Sequence, residues 1–153
     1  MGTPNATTIV NDLVTQLGTI SVDNGYNTDV AEVTRTVKTW DEATTRPSIG
    51  VGKGRVQYEH GHGGYLRCSM MVTIVGHVLG STEAARLTAL ENMLDDIVAA
   101  LFADHTRSGS AVKTTLIFSD DDNGVAHSVP HYGAGSSLQI ELRVTWDRTT
   151  GAS

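Results

Sequence analysis

The stretch SSLQIELRVTWD, Ser136 to Asp147, sets Leu138, Ile140, Leu142, Val144 and Trp146 against Gln139, Glu141, Arg143 and Thr145. Successive strand side chains point to opposite faces, so this period of two demands a strand with one face in an apolar core and the other towards water. A second run, LRCSMMVTIVGHV, repeats the pattern, with Leu66, Cys68, Met70, Val72 and Ile74 alternating with Arg67, Ser69, Met71, Thr73 and Val75. Two such strands need a cover. The chain supplies one in helical spacing: Leu87, Leu90, Leu94, Ile97 and Leu101 recur at steps of three and four, widened by Val98 and Phe102, behind a capping Ser81 or Thr82. A helix from about Ser81 to Ala103 would be roughly 30 Å long, enough to cross a sheet. Glu91, Asn92, Asp95 and Asp96 fall on its other side, and the Asp95-Asp96 pair reads as a solvated face.

The remaining elements follow from the same rules. Ile9, Val10, Leu13, Val14 and Leu17 predict a short amphipathic helix from Thr7 to Leu17, ended by Gly18. Asp23-Asn24-Gly25 marks a turn, and the β-branched VAEVTRTVKTW, Val30 to Trp40, predicts a strand. After Pro47, SIGVG predicts a short strand, and GRVQYEH the hairpin partner of the long strand that begins near Leu66. VKTTLIFS predicts a further strand and DDDNG a turn. The sum is an α+β fold: a mainly antiparallel β-sheet with two helices packed on one face and a long projecting β-hairpin. With 153 residues, 39% of them hydrophobic, the chain suits one core, and residues 1–153 read as a single domain.

The hairpin's tip, YEHGHGGYLR, carries the sharpest chemical question. His60 and His62 stand two apart, a spacing that lets one ion bridge them, but zinc requires at least a third protein ligand. No sequence signal brings His77, His105, His127 or His131 to this tip, and Gly61, Gly63 and Gly64 loosen its backbone. We therefore expect an interaction element, with Tyr58, Glu59, His60, His62 and Tyr65 as its contact residues, and neither metal nor cofactor.

Other motifs dissolve on alignment. GVGKGR has Gly54 where a phosphate loop places Ser or Thr, and Pro47 where it places its first glycine. Setting Gly124 at the turn of a calcium loop leaves Pro130 where the bidentate Glu belongs. No G-x-S-x-G elbow occurs, and Cys68 lies on the apolar side of its strand, as a core residue of a chain made for a reducing cytosol. Eleven basic against seventeen acidic side chains give a net charge of −6 with the bases scattered, which disfavours sequence reading of nucleic acid. A signal peptide and a membrane span are likewise not expected. These exclusions point away from an enzyme.

One resemblance gives the expectation a name. The succession of an N-terminal helix, Asn24-Gly25-Tyr26 with Thr28-Asp29-Val30, a polar strand, Pro47 before Ile49 and Val51, a long hairpin, one long helix and an alternating C-terminal strand resembles the tail terminator (tail-completion) proteins of tailed bacteriophages. The resemblance implies a non-enzymatic virion protein, assembled in the host cytoplasm, that forms a ring, six-membered in that family. Such a ring sits on the last ring of the tail tube, stops tail growth, has the tube protein and the head connector as partners, with the sheath protein as a further candidate, and lets DNA pass. It carries over no catalytic residue. The alternatives are a phage neck or head-completion protein and, in another class, a small metal-binding protein using His60 and His62.

Overall fold

A computed structural model describes residues 5–60, 63, 65–103, 113–116, 127–131 and 133–149. Helix α1 spans Asn5–Leu17 and helix α2 Glu83–Phe102, and the strands are β1 (Glu32–Thr34), β2 (Ser48–His60), β3 (Tyr65–Leu79), β4 (Lys113–Leu116), β5 (His127–His131) and β6 (Gly135–Thr149). The sheet runs β1-β2-β3-β6-β4, with β5 also paired to β6. Among the described residues only β1 on β2 is parallel. The α+β fold with two helices on one face of a mainly antiparallel sheet is therefore what the chain adopts.

The two alternating runs become the sheet's centre. β3 pairs β6 along fifteen positions, from Tyr65 opposite Thr149 to Leu79 opposite Gly135. This register lines up Cys68 with Trp146, Met70 with Val144, Val72 with Leu142 and Ile74 with Ile140, all buried on one face. Ile9, Leu13 and Leu17 of α1 and Met93, Ile97 and Leu101 of α2 close over that row, each fully buried. Each such side chain contributes about 1.5–3 kcal/mol of transfer free energy. The Thr82 hydroxyl caps α2 by accepting from the Ala85 amide at 3.1 Å.

Four local expectations need correction. SIGVG and GRVQYEH form one strand, β2, carried through a register shift between Lys53 and Val56. The strand expected from Val30 to Trp40 is regular only at Glu32–Thr34. Beyond it the chain lifts onto the sheet's second face, where a Cβ on Gly50 would lie 2.6 Å from the Thr36 carbonyl oxygen; the close crossing excludes ladder pairing. On α2, Leu87 is 52% exposed and the inward stripe is instead Met93, Ile97, Ala100 and Leu101. Finally, Asp96 is buried at 3% exposure. Its carboxylate accepts from the Asn27 backbone amide, 3.1 Å from each oxygen, and from the Asn27 side-chain amide at 3.2 Å. A buried carboxylate is tolerated when it is hydrogen-bonded, and this one ties the loop after α1 to α2. The expected DDDNG turn lies outside the described residues.

Candidate functional site

β2 divides into two halves with opposite surroundings. Between Ser48 and Gly50 it pairs β1 on one edge and β3 on the other. From Val51 to His60 only β3 is paired among the described residues, and among them the far edge of β2 has no ladder partner. The irregular step at Lys53–Val56 and the charges of Lys53 and Arg55 are the usual means by which an open edge avoids indiscriminate pairing.

Of the contact residues expected from sequence, Tyr58, Glu59 and His60 lie on this half of β2. Tyr58 pairs with Cys68, and Cys68 with Trp146, so Tyr58 shares the helix-covered face. Yet Tyr58 is 60% exposed while Cys68 and Trp146 are buried, so the apolar cover reaches β3 and β6 in that row and stops short of β2. His60 pairs with Leu66 on the same face and is exposed. Glu59 points to the opposite face, pairing with Arg67, which in turn pairs with Asp147. Arg67 makes a bidentate contact there, Nε to Oδ1 at 2.6 Å and Nη2 to Oδ2 at 3.1 Å. That hydrogen bond, with the charges of Asp147 and Glu59, raises the Arg67 pKa. Tyr65 opens β3 opposite Thr149, and His62 lies outside the described residues. The hairpin is thus no free two-stranded arm, since β6 accompanies β3 to its end. Among the described residues no three metal-ligating side chains converge.

At the other end of the sheet the structure assembles a polar cluster that the sequence does not announce. His77 of β3, Ser137 of β6 and His131 of β5 meet on the face opposite the helices. His77 Nε2 lies 2.8 Å from the Lys38 carbonyl, His77 Nδ1 lies 2.6 Å from Ser137 Oγ, and His131 Nε2 lies 2.7 Å from the same oxygen. A carbonyl only accepts, so His77 carries its proton on Nε2. In the neutral ring Nδ1 then accepts the Ser137 hydroxyl proton, and the serine oxygen accepts from His131 Nε2–H. The result is a directed chain: His131 to Ser137, Ser137 to His77, His77 to Lys38.

Trp40 closes the cluster. Its indole stacks on His131 at 4.1 Å, meets His77 edge-on at 5.8 Å and lies 3.8 Å from the Arg46 guanidinium carbon. Arg46 also donates from Nη2 to the Trp40 carbonyl at 2.5 Å. The turn bearing Trp40 is held by reciprocal bonds, Thr39 amide to Glu42 Oε1 at 3.0 Å and Glu42 amide to Thr39 Oγ1 at 3.3 Å. Those bonds lower the Glu42 pKa. Burial lowers the His77 pKa, the Lys38 bond acts against that, and the charges of His131 and Arg46 lower it further. Burial raises the pKa of Cys68, in keeping with a core thiol rather than a nucleophile.

No family model matches this chain, and no curated protein is similar enough to it to count as a relative.

Proposed function

We propose that this chain is a structural subunit of a tailed-phage virion that closes the head-proximal end of the tail tube as a ring and offers the surface to which the head connector binds. The observation that carries the reading is the open edge of β2 from Val51 to His60, on which Tyr58, Glu59 and His60 are all exposed. A ring made of one repeated subunit uses two unlike surfaces in head-to-tail contact. An open strand edge with an aromatic and an imidazole beside it is a suitable donor for one of them.

The order of elements adds to this, since the helix, the loop with Asn24 to Val30, the strand after Pro47, the long β2–β3 pair, α2 and β6 follow the succession by which the sequence resembles tail terminators. The test is to mix purified chain with tail tubes and image them by electron microscopy. Rings seated on one end of each tube are the expected result. Binding to the head connector with none to the tube would reassign the chain to the neck, and failure to bind either would overturn the proposal.

A further inference from the structure

We propose that the His77–Ser137–His131 chain is a proton-operated latch, which fastens the irregular segment 35–47 onto the sheet at neutral pH and lets it go under mildly acidic conditions. This inference is independent of the ring reading.

The geometry carries it. Segment 35–47 forms no regular strand past Thr34, and it meets the sheet through a few points: Thr36 and Val37 over Gly50 and Gly52, the Lys38 carbonyl on His77, and Trp40 on His131 and Gly135. Two of those attachments, the Lys38 carbonyl and the Trp40 indole, end on the histidines of the chain. The hydrogen bonds run in one direction only while His77 is neutral, because Nδ1 must accept from Ser137. A proton on Nδ1 turns that acceptor into a donor facing a hydroxyl hydrogen. Ser137 must then swing its own proton out of the chain and take two N–H groups on one oxygen.

The new charge is favoured by the Lys38 carbonyl alone, and burial together with the neighbouring cations outweighs that bond. His77 is only 3% exposed, so an imidazolium there is desolvated. The charged and titratable groups around it come from each packed element. β5 contributes His131, which repels a second proton; the crossing segment contributes Arg46, held over Trp40, and Lys38, whose ammonium is drawn 3.4 Å from Glu32. β6 and β2 contribute the neutral Ser137 and Ser48. Neither His131 nor Arg46 can pair with an imidazolium, and the downward shift of the His77 pKa agrees with that arrangement. Opening the segment relieves the conflict by giving His77 water.

Amide hydrogen exchange on the full chain, corrected for intrinsic rates, tests the latch between about pH 7.5 and about pH 5, the range in which imidazole titrates. The segment amides, Ala43 bonded to the Thr39 carbonyl among them, should lose protection on acidification. The loss approaches about tenfold per pH unit once His77 titrates, while α2 amides hold. His77→Gln should flatten that response. Equal protection of the segment at both pH values, or an undiminished response in His77→Gln, overturns the proposal. Should that variant fail to fold, an NMR titration of the wild-type histidine ring carbons decides instead. Opening that tracks the His77 resonance supports the latch, and opening that tracks any other histidine refutes it.

Discussion

At the Ser48–His77 end the β2–β3 pair is covered on both faces, by the helices on one and by segment 35–47 on the other, whereas at the His60–Leu66 end β2 is bare on both. The same two strands make both ends. What separates them is the neighbour on the far edge of β2: β1 stands there up to Gly50, and from Val51 onward no described residue pairs with it. The comparison teaches that the fold concentrates its packing at one end and leaves the other exposed. Loss of packing should therefore be costly near the helices and almost free along the open edge.

The largest effect should come from truncating the core that the covered end relies on. Ile97→Ala removes a fully buried side chain, and we expect a loss of about 2–5 kcal/mol in denaturant unfolding. A change under about 1 kcal/mol would mean that α2 does not bear the sheet's cover. Next comes Asp96→Ala, which leaves the Asn27 donors without their acceptor; about 1–3 kcal/mol should be lost by the same measurement. Asp96→Ala at no cost would show that the loop after α1 is held by other contacts.

Acidity should also act on the covered end. The folded His77 pKa lies below its ordinary 6.5, from burial first, so as pH falls the unfolded chain takes up a proton before the folded one does. Stability is thus complete above about 6.5 and declines as pH falls through that value towards the folded pKa. Unfolding midpoints measured for wild type and His77→Gln across this range should diverge on the acid side, with wild type losing more. Parallel curves would detach His77 from the pH response.

Legibility in the sequence follows the same division. Strict alternation over a dozen residues made β3 and β6 readable with their buried faces, because period two has one solution when half the side chains are apolar. β-branched composition misled at Val30 to Trp40, where crossing over Gly50 outweighs local propensity. Asp96 reads as a surface carboxylate because its partner Asn27 lies 69 residues away, and nothing local announces that bond. Tyr58, Glu59 and His60 are legible as an exposed stretch from their polar, glycine-flanked setting, but the strand edge beside them depends on where β1 stops. The histidine cluster was illegible for a related reason: His77 and Ser137 are 60 apart, and only the β3–β6 register brings them together.

The smallest effect on stability should come from the open edge itself. Tyr58→Ala, Glu59→Ala and His60→Ala combined should shift unfolding by no more than about 0.5 kcal/mol per substitution, since all three side chains are exposed. The same triple variant supplies the most direct test of the central claim that this edge is where the ring is made. The proposed function assigns the gene to a tailed phage; it is to be deleted there, then supplied in trans as wild type or as the triple variant, with tail lengths measured by electron microscopy. We predict overlong, headless tails in the deletion, normal tails with wild type, and overlong tails with the folded variant. Tails of normal length joined to heads in the deletion, or full rescue by the variant, would contradict the account.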